Sequence, residues 1–281
     1  MRNKTMIMLV AVTALLLALG TPTTADAQQY QPTLGQAGKD VIWMPTPPEL
    51  VAAMLDMAKV TAGDTLIDLG SGDGRIVIAA AKRGASALGV EFNPDMVELS
   101  RLNAQREGVE AKARFVQGDI FETDFSRATV LTMYLLPDLN TKLRPKILAM
   151  RPGTRVVSHA FSMGDWEPDQ TMEEEGRTAY FWVVPAKVAG TWTWRSNTGS
   201  AELSLRQTYQ KIEGILRTDG KDLPLKDTKL EGARISFTVA EGNPTVREYS
   251  GRVNGDSIDG TTRVAGSAET KWTAERRSAP R

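Results

Sequence analysis

The chain has 281 residues, 41% hydrophobic and 24% charged, an ordinary globular composition with room for up to two domains. Lys plus Arg and Asp plus Glu number 34 each, which excludes a strong field steering the protein to nucleic acid or an anionic membrane surface. The absence of cysteine excludes disulfides, thiolate metal sites and a cysteine nucleophile, and it suits an oxidising compartment.

In chain order, Arg2 and Lys4 precede an apolar run from Met6 to Leu19, and Gly20, Pro22 and Ala25-Asp-Ala27 follow it. A charged start, a short apolar stretch and a small-x-small site predict a signal peptide over residues 1–27, cleaved after Ala27. The alternative is an uncleaved anchor, but the run falls short of the ~20 residues a spanning helix needs. The expectation is therefore an exported protein, periplasmic or secreted, with no stable membrane anchor. Residues 28–40, rich in Gln, Pro and Gly, read as a flexible linker.

Thr46-Pro-Pro-Glu49 predicts a helix start, with Thr46 as N-cap, Pro47 at the first helical position and Glu49 completing a capping box. Leu50, Met54, Leu55 and Met57 supply its apolar stripe. Leu66, Ile67 and Leu69 then make a short strand. The chain turns through Gly70, Gly72 and Gly74 into a helical run over 75–82. Strand, glycine turn and helix form the first βα unit of a nucleotide-binding sheet, in which glycines let the backbone approach a ligand closely.

Asp68 selects among ligands. A pyrophosphate over this turn would be repelled by its carboxylate, whereas the sulfonium and ammonium of S-adenosylmethionine are complementary to it. The spacing is also G-x-G-x-G rather than the dinucleotide G-x-G-x-x-G. A second strand ends at Glu91, 23 residues after Asp68, close to the ~20-residue offset at which an acid grips ribose hydroxyls. A third ends in Asp119, suited to accept from an adenine amino group. The expected cofactor set is Thr46, Asp68, Gly70, Gly72, Gly74, Glu91, Asp119 and Ile120, with no metal.

A helix over 94–107, a strand over 128–134, a helix over 138–150 with Pro145 inside it and a strand over 154–160 follow. Residues 171–184 read as a hairpin. Residues 161–170, broken by Gly164 and Pro168, are too short for a full helix. From Pro185 the pattern changes to short alternating segments separated by Gly, Asp and Asn turns. These predict an all-β domain, a sandwich or small barrel, over 188–281. Gly214, Gly232, Gly251 and Gly260 fall within those segments and suit sharp bends of a closed barrel.

Pro45-Thr-Pro47, the run Asp68-Leu-Gly-Ser-Gly-Asp-Gly-Arg-Ile-Val-Ile-Ala-Ala-Ala81 and Tyr134-Leu-Leu-Pro137 give the segment 41–187 a family likeness. It resembles the class I, seven-strand S-adenosylmethionine-dependent methyltransferases. Within them it is most similar to the protein-lysine methyltransferases of mitochondrial inner-membrane carriers and of the ATP synthase c-ring protein, and their bacterial relatives. The resemblance implies a doubly wound Rossmann-like α/β sheet, methyl transfer at the end of the fourth strand and a protein lysine as acceptor, with no nucleic-acid partner. Nucleobase-amine methyltransferases often carry Asn/Asp-Pro-Pro-Tyr at that strand end, and Tyr134-Leu-Leu-Pro137 departs from it.

A lysine amine, with an ordinary pKa of ~10.4, must lose a proton before transfer. Tyr134, His159 and Asp165 are the candidates to take it, set against a buried core tyrosine and a structural histidine as the plainer readings. Trp166 can wall a cationic amine or simply close the pocket. Export conflicts with a cofactor made in the cytosol. An exported binding protein with a repurposed methyltransferase-like domain and an adhesion or ligand barrel therefore stands second, and a NAD-linked enzyme third.

Overall fold

The computed structural model describes residues 30–196, 199–242 and 245–277, so the expected signal peptide lies outside the described residues. Four helices and sixteen strands form two sheets among the described residues. The first half contains α1 (Pro48–Met57), β1 (Thr65–Leu69), α2 (Arg75–Lys82), β2 (Ser86–Glu91), α3 (Pro94–Arg106), β3 (Ala113–Gln117), β4 (Val130–Met133), α4 (Pro137–Leu148), β5 (Arg155–His159), β6 (Gln170–Glu174) and β7 (Arg177–Val183). The strand order is β3-β2-β1-β4-β5-β7-β6. The first five strands are parallel and the β6–β7 hairpin joins antiparallel.

The central strands are buried on both sides, so they read as apolar runs rather than alternations. Leu50 and Met54 of α1, Ile76 and Val77 of α2 and Val97 of α3 cover one face, and Leu143 and Ile147 of α4 lie in the cluster on the other. The order reverses between β1 and β4, and in open sheets of this kind ligands bind beyond the strands' carboxyl ends at such a reversal. No helix lies between β5 and β6, as the broken 161–170 segment predicts.

Two local expectations fail. Thr46 does not cap α1: Pro47 holds the N-cap position, no side chain caps the helix, and the Thr46 hydroxyl is spent on His159 instead. The segment read as a flexible linker is folded where described. Gly35 N donates to Trp43 O, Trp43 N to Gln36 O and Gly38 N to Val41 O, each at 2.9 Å, making a small hairpin that we call the strap.

The second sheet contains β8 (Gly190–Ser196), β9 (Gly199–Thr208), β10 (Lys211–Thr218), β11 (Lys221–Pro224), β12 (Lys226–Glu231), β13 (Arg234–Gly242), β14 (Thr245–Asn254), β15 (Ser257–Val264) and β16 (Thr270–Arg276). All its pairings are antiparallel, and β16 returns to pair with β8. Of the two expected architectures this is a curled single sheet rather than a sandwich. Its edges approach each other where Thr228 Oγ1 donates to Ile212 O at 2.7 Å and Leu225 N to Gly214 O at 3.0 Å. Trp192, Trp194, Phe237, Tyr249 and Trp272 fill its interior. The bending is sharp enough that a Cβ on Gly260 would lie 2.0 Å from Ser250 O. Gly232 is not within a strand. It occupies the β12–β13 turn at φ +58, where a Cβ would lie 2.9 Å from Gly153 Cα of the first sheet's unit.

Candidate active site

A cavity of about 630 Å³ opens at the carboxyl ends of β1, β2 and β4, under the strap. Its floor is the glycine turn. Gly70, Gly72 and Gly74 all have left-handed φ, at +75, +54 and +83. A Cβ on Gly72 would stand 2.9 Å from Trp43 Nε1 of the strap, so the indole packs on bare backbone with no room for a side chain. Gly74 does not line the cavity; it turns the chain into α2 against Phe115 and Ser100. The turn is braced from α3, where Ser100 Oγ donates to Gly72 O at 2.8 Å and Asn103 Nδ2 to Asp73 O at 3.0 Å.

Of the acids that line the cavity, Asp68, Glu91 and Asp119 each come from a different strand or the turn beyond it. Asp68 is 2% exposed and accepts from Thr132 Oγ1 at 2.7 Å. Burial pushes its carboxyl up to about 7, with the charges of Glu91 and Asp73 adding to the effect. Glu91 accepts from Gly72 N at 3.0 Å and from Asn93 N at 2.9 Å, which fixes its carboxylate while leaving lone pairs for further donors. Asp119 accepts from Phe121 N at 2.8 Å and pairs with Lys39 of the strap at 2.5 Å; Lys39 holds its carboxyl below the usual range. Ser71 Oγ is buried at the cavity wall with no hydrogen-bond partner among the described residues. An orphaned hydroxyl beside a buried acid and a glycine floor is a site built for a polar, cationic ligand. The group expected from the three acids fits these residues.

Thr46 and Ile120 also line the cavity. Arg75 ties the strap's exit to the floor, chelating Asp73 and donating to Thr46 O at 2.8 Å. At the β4 end the wall is apolar and aromatic: Tyr134, Leu135, Leu136, Leu139 and Phe161. Ile42, Met44, Phe92 and Leu136 also line the cavity and are largely exposed.

The three candidate proton acceptors separate. Tyr134 lines the cavity, its ring 3.8 Å between centroids from that of His159. His159 lies behind it, 3% exposed, with Nδ1 3.0 Å from Thr46 Oγ1, and it does not line the cavity. Burial, with the charge of Arg177, pushes its imidazole down to about 4, so it is neutral at neutral pH. Asp165 is misplaced by the sequence reading. It points away from the cavity, paired with Arg144 and accepting from Tyr209 Oη at 3.0 Å. Trp166 likewise closes a core and not the pocket. The strap, Thr132 and Phe161 had no distinguishing sequence signal: each enters the site through register or a turn rather than a motif.

Residues 68–170 match the family model described as the ANTKMT methyltransferase domain. A protein-lysine N-methyltransferase of Saccharolobus islandicus (strain REY15A) is 42% identical over 151 residues, 51% of this chain and 94% of that protein. The chain belongs to the ANTKMT methyltransferase family. An adenine nucleotide translocase lysine N-methyltransferase of Mus musculus is 39% identical over 37% of this chain, which spans 46% of that relative's length. A solved RNA methyltransferase from Salinibacter ruber, in complex with S-adenosyl-L-homocysteine, is 51% identical with a TM-score of 0.51. It covers 52% of this chain and 96% of its own. The protein is thus an S-adenosylmethionine-dependent methyltransferase with a Rossmann-like sheet, followed by an antiparallel sheet.

Proposed function

We propose that this methyltransferase N-methylates a lysine side chain of a protein. The observation that carries the reading is the transfer end of the cavity, where Tyr134, Leu135, Leu136, Leu139 and Phe161 present no charged group. Such a wall favours a neutral amine over an ammonium, which is the form that can attack. The exposed apolar side chains at the mouth, Ile42, Met44, Phe92 and Leu136, suit a protein surface better than a phosphate backbone. The names of the Saccharolobus and mouse relatives support the same acceptor.

S-adenosylmethionine, when bound, supplies an electrophilic methyl group on a sulfonium. In this reading Asp68 holds its ammonium, Glu91 its ribose hydroxyls and Asp119 its adenine, with Lys39 yielding the last. Gly70 and Gly72 allow the close approach, and Thr46 and Ile120 complete the wall. Tyr134 and Phe161 orient the incoming amine and exclude water. His159, neutral and behind Tyr134, keeps that ring in place rather than carrying the proton, which passes to water. The N-terminal pattern supports export with cleavage after Ala27.

Labelled S-adenosylmethionine incubated with the mature protein and an envelope extract should place label in protein, recovered as methyl-lysine after hydrolysis. The rate should rise with pH across the neutral range. A parallel incubation with total RNA addresses the activity named for the Salinibacter protein. Label in RNA and none in protein refutes the lysine reading. Amino-terminal sequencing of the exported chain should begin at Gln28.

A further inference from the structure

The second sheet reaches the loop after β5 through the turn between β9 and β10. Tyr209 and Gln210 form the two-residue connection between β9 and β10. Tyr209 has φ +55, a conformation that Gly or Asn adopts readily and a bulky aromatic residue does not. What the strained turn reaches is the loop after β5. The Tyr209 ring stacks on fully buried Trp166 at 5.9 Å between centroids and 22°, and the Arg144 guanidinium lies 5.5 Å from the Tyr209 ring centroid. Its hydroxyl donates to Asp165. Gln210 accepts from Trp166 Nε1 at 2.9 Å and donates to Glu167 O at 2.8 Å.

The same loop carries a second strained residue at its other end. Ala160 has φ +62, and Phe161 N donates to His159 O at 2.8 Å across it, a three-residue turn with a left-handed centre. That turn follows directly on β5 and precedes Phe161, which lines the cavity. Asn140 holds the loop from below, donating to Phe161 O at 3.1 Å and Ser162 O at 3.2 Å, and Arg144 donates to Met163 O at 2.7 Å. Strained backbone persists only where its surroundings over-determine it, and such strain concentrates at functional sites.

We propose that the Tyr209–Gln210 turn is a positioning element for methyl transfer, clamping the 161–169 loop so that Phe161 stands at the acceptor side of the cavity. This rests on reading the β4–β5 end as the transfer site. Joining the two sheets does not itself require the strained turn. Ala186 N already donates to Gly232 O at 2.8 Å, and Gly232 meets Gly153 backbone to backbone. Half of this chain matches 94% of the Saccharolobus relative, so the second sheet is an addition to a unit of nearly that relative's size. The clamp therefore adjusts the site rather than building it.

The test uses the full chain with Tyr209→Gly, which suits the left-handed turn but removes the ring, and Tyr209→Phe, which keeps the ring. Hydrogen exchange at residues 160–166, S-adenosylhomocysteine affinity by calorimetry, and kcat with KM for S-adenosylmethionine on the envelope extract are measured together. Tyr209→Gly should speed exchange at 160–166 at least tenfold and lower kcat at least fivefold, with affinity and KM within twofold of the parent. Tyr209→Phe should restore both readouts to within twofold. Unchanged exchange at 160–166 overturns the proposal, as does an unchanged kcat, or a loss of affinity equal to the loss of kcat. If the parent chain transfers no label, the reading of function fails, while the exchange arm still decides whether the clamp exists.

Discussion

Asp68 and His159 are both buried ionisable groups, and their shifts oppose each other. The Asp68 carboxyl stands at about 7, above the ordinary 3.8, so the folded chain binds more protons than the unfolded one between those values. Its contribution is present below the unfolded value and is lost as pH rises toward 7. Asp68→Asn should therefore stabilise the ligand-free protein above pH 7 by roughly 2–4 kcal/mol, read from urea midpoints, while weakening cofactor binding. Binding a ligand whose ammonium faces Asp68 should discharge the proton. S-adenosylhomocysteine affinity should rise from pH 6 to 7.5, with proton release seen by calorimetry in two buffers, and Asp68→Asn should flatten that rise. His159 is shifted the other way, from 6.5 to about 4, so the unfolded chain binds more protons between these values. Its stability contribution is full above 6.5 and is lost as pH falls through 4, about 3 kcal/mol over the window. Because the two windows overlap, the parent should show a shallow profile. His159→Asn should lessen the acid-side loss and leave the activity slope between pH 7 and 9 unchanged; a flattened slope would return His159 to the role of proton acceptor.

At the scale of elements, the site is a meeting of turns. The β1–α2 turn needs glycine for two separate reasons, left-handed φ and close approach. Gly74 separates them from ligand binding, because its neighbours are Phe115 and Ser100 rather than the cavity. A Cβ there would lie 2.7 Å from the Phe115 ring and 2.9 Å from Ser100 Cβ, at φ +83. Gly74→Ala should cost roughly 2–4 kcal/mol, the sum of a left-handed alanine and overpacking. Gly108→Ala, also left-handed at φ +64 but with nothing within 4 Å, should cost only about 1–2 kcal/mol. Equal midpoint shifts for the two would mean that the Phe115 contact relaxes freely. The glycine turn and its acids were legible because each residue type is forced by local backbone or charge. The strap was not. Its hairpin has the composition of a disordered linker, and what orders it is external: Trp43 over Gly72, Lys39 on Asp119 and Arg75 on Thr46 O.

At the scale of the whole molecule, the two sheets share a core contact, Trp166 against Tyr209 and Gln210. A chain ending at Lys187 should still bind S-adenosylhomocysteine, since the residues lining the cavity all precede that point. It should melt several degrees lower; an unchanged melting temperature would show the contact to be energetically neutral. The division into an α/β half and an all-β half was readable from periodicity alone, since helical and alternating patterns cannot be exchanged along one chain. The cofactor class followed from Asp68, whose place two residues before the glycine turn disfavours a pyrophosphate there, together with Glu91 and Asp119 at the ends of the next two strands. Which side chains share the transfer site was decided only in three dimensions. His159, Phe161 and Asp165 lie within seven residues of one another, yet the left-handed turn at Ala160 and the pull of Arg144 and Tyr209 send one behind the wall, one into it and one away. Local sequence determines strands, turns and charges. The direction of a side chain beyond a strand's end depends on what packs against it, and here that partner comes from Thr46, Asn140 and a turn in the second sheet.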